Sequence, residues 1–379
     1  MQLKLPTRSS EKDAQPAEIS AESMQTKAKT EGLVGLDVSA TTLAAVKAGD
    51  NRVRTASLTT LDSGLIVDGE IADADALGGA IAEFFGANGM PKKVRMGVAS
   101  PRVVIRTIEV PAITDRKQLE AAIRFQAADH IPMPLDEAVL DHQIVKTIPG
   151  VEAGDPPKFQ VLLVAASRGL IDGYLEASKK AGVKLQGIDL SAFGLIRVMY
   201  PGDMFVNETI AYLHYGDMVN VTLAQGKICK FTRATPNGHA AMIERLCQRV
   251  NITPEHARMW IEHVGLSAPL QSIQGEPDII QATREELGAA VDQMSMDVTA
   301  AIDFHSVQDS TAQVSRVLIA GPGSGIPGLA EAISARAGLA VETPAALGSL
   351  DNSSLQGSGV DERRLTLAAG LALDEVAAL

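Results

Sequence analysis

Three turns carry residue types that could hold a phosphorylated ligand. The first, DVSATT at 37–42, offers small residues whose backbone N–H groups can approach an anion, with hydroxyls to add hydrogen bonds. Ser39, Ala40 and Thr41 are its candidate contacts, and Asp37 is placed to orient a water of a Mg²⁺ ion. The second, LHYGDMVN at 213–220, sets Gly216 and Asp217 between two apolar runs. The third, AGPGSGIPGL at 320–329, contributes Gly321, Gly323 and Ser324. Glycines there let backbone come close to a purine and ribose, and the helix expected next turns its N-terminus toward an anion. Standing alone, each turn reads better as an ordinary turn, so the signal lies in their order and separation.

Elsewhere the sequence holds no nucleophile beside a base, no metal-ligand cluster and no paired carboxylates. His214 and His305 read as partly buried packing or hydrogen-bonding residues. Trp260, in RMWIEHVGL with apolar neighbours at helical spacing, reads as core. Cys229 and Cys247 have neither metal-ligand spacing nor a disulfide framework, so they read as small core residues of a reducing compartment. With 34 basic against 46 acidic residues the net charge is -12, which opposes phosphate backbones and the anionic inner leaflet. Aromatic content of 3% supplies no stacking platform for single strands. Nucleic acid and direct membrane insertion are therefore disfavoured. No apolar run reaches the roughly 18 residues of a membrane span, and a cytoplasmic location is expected.

Strands must hold these turns. GLVGLDVSATTLAAVKAG at 32–49 reads as a hairpin around the first turn, followed by the strand RTASLTTL, the segment GLIVDGEI, a helix over 75–85 and the strand KVRMGVAS. KFQVLLVAAS is a buried strand, 170–181 a helix, and KLQGIDLS returns to the sheet. A second half begins near Thr209 with another apolar strand, small turn and apolar strand, so the architecture repeats. A helical region spans 240–307. SRVLIAGPGSGIPGLAEAISARAGLAVETP then gives strand, Gly-rich turn, helix and strand, and LTLAAGLALDEVAAL closes as a helix packed on the first half. Loops at 149–157 and 347–360 read as exposed, and residues 1–30 as a disordered leader. A chain of 379 residues, 46% apolar, should divide into roughly two to four compact units.

The run RTIEVPAITDRKQLEAAIRFQAADHIPMPLDEAVLDHQIV at 106–145 reads as strand, capped helix, Pro-bracketed turn and strand. Thr114 and Asp115 supply an N-cap, Leu119, Ala122, Ile123 and 126–127 form a buried stripe, and IPMP ends the helix. In wording and order this run resembles the type IV pilus assembly protein PilM family. So do GLDVSATTLAAV, VLLVAASRGLIDGYLEASKKAGVKLQGIDLSAFGL, VLIAGPGSGIPGLAEAI and the closing LAAGLAL. The resemblance implies an α/β, actin-like (ribonuclease H-like) two-lobed fold with an inserted strand-helix-strand module. Its expected divisions are a first subdomain at 31–101, completed by 186–205 and a closing helix at 361–379, an inserted module at 102–185, and a second lobe at 206–360. That lobe holds a helical subdomain at about 240–309.

The resemblance further implies a cytoplasmic scaffold or adaptor, peripheral to the inner membrane, that takes the N-terminal cytoplasmic tail of a PilN-like inner-membrane protein. The tail would lie between the module and the first subdomain. Contact with pilus motor ATPases and self-association are implied as well, as is an ATP and Mg²⁺ site formed by the three turns. Measured against the family pattern, His214 stands in place of a carboxylate, Asp217 and Met218 replace small residues, and Ser39 and Ala44 replace a Gly and a Lys. A carboxylate near a terminal phosphate costs about 1 to 4 kcal/mol, so weak or degenerate nucleotide binding with little turnover is expected. A kinase of the same superfamily would need an intact cradle and a carboxylate base. A cell-division protein of the FtsA type would end in a basic amphipathic helix, whereas this chain ends DEVAAL.

Overall fold

The computed structural model of the chain describes residues 33–150, 155–308 and 313–373. The leader expected over 1–30 and the last six residues of the expected closing helix lie outside the described residues. β1 (Val34–Val38), β2 (Thr42–Gly49) and β3 (Arg52–Thr60) run as an antiparallel meander. Val38 pairs with Leu43, which leaves 39–41 as the first turn. A short hairpin of β4 (Ile66–Val67) and β5 (Glu70–Ile71) leads to α1 (Ala74–Asn88). This helix starts where the Asp73 carboxylate accepts the Ala76 N–H at 2.9 Å, and it ends at Gly89 in left-handed backbone. β6 (Lys93–Val98) then joins β1 in parallel.

The chain next leaves that sheet and builds a three-stranded antiparallel one. β7 (Val103–Pro111) is followed by α2 (Arg116–His130), β8 (Ala138–Ile148) and β9 (Lys158–Ser167), in the order β7-β9-β8. Asp115 caps α2 by accepting the Gln118 N–H at 2.8 Å. Strand periodicity splits β9 between two cores. Val161, Leu163 and Ala165 pack with Leu119, Ile123 and Ala127 of α2, while Leu162, Val164 and Ala166 join the core of the first lobe. The two ends of the module meet, since Val103 pairs with Ala166.

After β9 comes α3 (Arg168–Ala181), then β10 (Lys184–Leu190), parallel to β6, and α4 (Ser191–Met199). The sequence reading ran the inserted module to residue 185 and so included α3. In the structure α3 lies against α1, where a Cβ on Gly78 would come 2.9 Å from Ala177 O, and its Leu170, Ile171 and Tyr174 belong to the first lobe's core. An amphipathic stripe shows that a helix is buried but not which sheet buries it.

The second lobe repeats the first. β11 (Thr209–Tyr215), β12 (Val219–Gln225) and β13 (Ile228–Thr235) form an antiparallel meander. The helical region expected over 240–307 is three helices: α5 (His239–Val250), α6 (Pro254–Val264) and α7 (Pro277–Gln308). The first break falls at Asn251, in left-handed backbone, followed by the Thr253 cap and Pro254 in the first turn of α6. β14 (Val314–Ala320) lies parallel to β11, followed by α8 (Leu329–Ala337) and β15 (Val341–Glu342). Taken from the antiparallel edge, the sheets read β3-β2-β1-β6-β10 and β13-β12-β11-β14-β15, the same order and directions in both lobes.

Two readings change here. Trp260 is only half-buried, and its ring lies over Gly275, where a Cβ would come 2.3 Å from Cη2. The 347–360 loop is pinned, with Leu347, Leu350 and Leu355 buried and the Asp351 carbonyl accepting the Val53 N–H at 2.9 Å.

α9 (Thr366–Ala372) returns to the first lobe. It approaches β1 so closely that a Cβ on Gly35 would lie 2.1 Å from Ala368 O, and it meets α4 where Gly370 faces Gly194. Buried Arg95 donates to the Leu371 carbonyl at 3.0 Å and satisfies the end of the helix. Arg197 of α4 donates through Nε to Gly370 O at 2.9 Å and pairs with Asp189, the two side chains being 5% and 0% exposed. Removing the guanidinium leaves a dry carboxylate without its partner. Arg197→Ala should therefore cost about 3–5 kcal/mol, read as a lowered urea midpoint at unchanged slope.

Candidate functional site

A cleft of about 590 Å³ opens between the lobes, and both hairpin turns point into it. At the tip of β11–β12, Tyr215 pairs with Val219 and Gly216 N–H donates to Met218 O at 3.2 Å, so Asp217 sits at the apex. The start of α5 holds that tip: His239 N–H donates to Gly216 O at 2.7 Å, and a Cβ on Gly238 would lie 2.2 Å from the same oxygen. From this fixed position the Asp217 carboxylate crosses to the other lobe. Its Oδ2 accepts the Thr41 backbone N–H at 2.7 Å and the Thr41 hydroxyl at 2.8 Å. Next door, Arg364 donates through Nη2 to Thr42 Oγ1 at 2.8 Å.

Of the residues singled out in the sequence, Asp37, Ser39, Ala40, Thr41, Gly216 and Asp217 line this cleft together. Gly321, Gly323 and Ser324 do not. A Cβ on Gly321 would meet His214 Nε2 at 2.8 Å, one on Gly323 would meet Tyr215 Cδ1 at 2.1 Å, and the Ser324 hydroxyl donates to Gly321 O at 2.7 Å. The third turn's glycines thus admit the aromatic residues at the end of β11. His214 also lies under Gly216, whose Cβ would come 2.6 Å from Cε1, so the imidazole fills the space between the second and third turns. Pro322, Gly325 and Ile326 face the cleft instead. Gly325 is covered by Arg363, whose guanidinium is held by Asp361 at 2.8 and 3.2 Å.

A sequence model of the type IV pilus assembly protein PilM family matches residues 35–376. The chain belongs to this PilM family. Among solved structures it is similar to a PilM-PilN type IV pilus biogenesis complex, at 21% identity and a TM-score of 0.72, covering 90% of this chain and 97% of that one. It is also similar to the ethanolamine utilization protein EutJ from Carboxydothermus hydrogenoformans, at 13% identity and a TM-score of 0.50, covering 90% and 89%. The fold is actin-like, in agreement with the expected α/β architecture.

The cleft of this PilM-family chain contains side chains that the sequence reading passed over. Glu244, Cys247, Arg258, Arg363 and Arg364 all line it. Cys229 is buried as expected, whereas Cys247 is half-exposed on the cleft wall. The adjacent basic pair at 363–364, just ahead of the last helix, was the one sequence signal available for these residues.

Burial and the Asp217 carboxylate push Asp37 up to about 7. Among the described residues no group of three His, Cys, Asp or Glu is arranged to hold a metal. The Thr41 donors are already engaged, and among the described residues no lysine lines the cleft. These residues fit a magnesium triphosphate poorly.

Burial pushes both His214 and His239 down to about 4 against the opposing pull of Asp217, and Arg258, Arg364 and Arg363 lower His239 further. The pH dependences have opposite signs. Asp37, raised from 3.8, contributes stability that is lost as pH rises through about 7, whereas the histidines contribute stability that is lost as pH falls from 6.5 toward 4. Relative to wild type, Asp37→Asn should gain a few degrees in Tm as pH goes from 5 to 8, and His239→Asn should gain as pH goes from 7 to 4.5. Parallel Tm curves would refute both assignments.

Proposed function

We propose that the chain is a cytoplasmic scaffold and adaptor of type IV pilus assembly, peripheral to the inner membrane, that captures the N-terminal tail of a PilN-like membrane protein. Family membership supports this, and the similar solved structure is itself a PilM-PilN complex. No helix among the described residues is long and apolar enough to cross a membrane, which suits a protein tethered by a partner.

The observation that carries the reading is the free edge of β8. In the order β7-β9-β8, β7 lies beside β13 of the second lobe, while β8 has no strand on its outer side among the described residues. β8 also forms the seam between module and first lobe, with Val139 and Val145 packed on the first lobe's core and Ile144 exposed at 37%. An extended peptide can pair its backbone with such an edge and place alternate side chains in the seam. The same reading includes association with pilus motor ATPases and with further copies of the chain. It assigns the inter-lobe cleft, including Asp37, Ser39, Ala40, Thr41, Gly216 and Asp217, to an eroded ATP site in which nucleotide is at most weakly held.

The test is calorimetric titration with a synthetic peptide corresponding to the N-terminal cytoplasmic tail of a PilN-like membrane protein. Ile144→Lys, at an exposed edge, should leave Tm within a few degrees and weaken the tail about tenfold or more, the equivalent of about 1.4 kcal/mol. Replacing 103–167 by a short Gly-Ser linker should abolish binding. Unchanged affinity in both variants would remove the β8 edge from the reading.

A further inference from the structure

Donors that a hairpin turn would offer a phosphate oxygen are both taken by a side chain of this protein. One oxygen of Asp217 receives the Thr41 N–H at 2.7 Å and the Thr41 hydroxyl at 2.8 Å. Thr41 belongs to the first lobe and Asp217 to the second, 176 residues apart, so the contact spans the mouth of the cleft. It is not a loose surface pair. The β11–β12 tip is fixed by the His239 N–H on Gly216 O and by the close approach of Gly238, and the first turn is fixed by Ser39 N–H on Thr42 O at 2.9 Å.

We infer that Asp217 is a built-in stand-in for a phosphate, a latch that holds the two lobes closed without ligand and sets which ligands the cleft can admit. A nucleotide can reach Thr41 only by displacing this carboxylate. Because the competitor is tethered, its effective concentration is about millimolar or above, so free nucleotide at similar concentration gains no advantage. A phosphate entering without that displacement would sit against a carboxylate at contact distance. Arg258, Arg363 and Arg364 line the same cleft, but Arg363 is held by Asp361 and Arg364 by the Thr42 hydroxyl, and Asp37, Asp68, Glu244 and Glu262 line it as well, so the cleft offers an incoming phosphate little uncommitted positive charge. The ligand half of the inference rests on the reading of the cleft as an eroded nucleotide site, whereas the latch half stands on the inter-lobe hydrogen bonds alone.

Two readouts on the full chain separate the halves. Spin labels at Glu83→Cys and Met259→Cys, in a Cys247→Ser background, report the distance between the lobes by double electron-electron resonance. Calorimetry with magnesium-ATP reports binding. Wild type should give one narrow distance that millimolar magnesium-ATP does not change. Asp217→Ser should broaden and lengthen it and bind magnesium-ATP at least tenfold tighter. Thr41→Val, which keeps the fold and removes only the hydroxyl donor, should broaden the distance to a smaller degree. An unchanged distance in both variants overturns the latch. Opening without tighter binding supports the latch and counts against the nucleotide reading. Sub-micromolar magnesium-ATP binding by wild type at an unchanged distance overturns the inference, because the nucleotide would then bind tightly without displacing the carboxylate from Thr41.

Discussion

The carboxylate of Asp217 joins the two lobes of this chain across the mouth of the cleft, where it accepts both donors of Thr41. Each lobe has its own sheet, an apolar core runs from the first lobe onto Ile210, Tyr212, Ala224, Cys229, Leu318 and Ala320 of the second, and the two hairpin turns face each other across the open cleft. A buried or half-buried anion needs donors, and here it finds a backbone N–H and a hydroxyl on the opposite lobe. The consequences spread outward. Asp37, next to that charge, holds its proton to about neutral pH. His214 stays uncharged between Gly216 and Gly321. The cleft is thereby shaped more by the protein's own charges than by a readiness to receive phosphate.

Much of this was legible in the residues. Apolar strands around small turns announced two repeated meanders, and the Asp115 cap with its Leu119, Ile123 and Ala127 stripe announced α2. The charge of Asp217 at the second turn set the expectation of weak nucleotide binding, and in the structure that carboxylate accepts the two Thr41 donors. What the sequence could not supply was contact across the chain. Nothing local says that α3 packs chiefly on α1 within the first lobe's core, or that Tyr215 and His214, strand residues, would claim the space under the third turn's glycines. A Gly-rich turn signals close approach, but the approaching group is chosen by the tertiary fold. The same limit hid Arg363, which reaches Gly325 from a loop far away in sequence. It also hid Cys247, whose helical position fits core and cleft wall equally.

The inserted module illustrates how one sheet can serve two purposes. Alternation along β9 lets it bury one face under α2 and the other on the first lobe, so the module is welded to the lobe while β8 remains an edge. An edge strand left open invites pairing, and proteins normally cover or charge such edges. In a PilM-family chain with an acidic surface and no membrane-crossing helix among the described residues, an open edge beside an apolar seam is a natural place for a partner's extended tail. The β8 edge and the Asp217–Thr41 contact lie on different elements, so capture of a tail, as proposed, does not require nucleotide turnover.

The measurement closest to the centre of this account is hydrogen exchange at a single amide, that of Thr41, followed by transverse-relaxation-optimised NMR on the ligand-free chain. Thr41 sits in a turn, outside the β1–β2 ladder, so its N–H has the Asp217 carboxylate as its acceptor. A latch that is closed at rest predicts exchange slowed well below the rate of an open turn, comparable with the flanking strand amides. Exchange at the rate of a solvated loop would show that the carboxylate is not holding the lobes together.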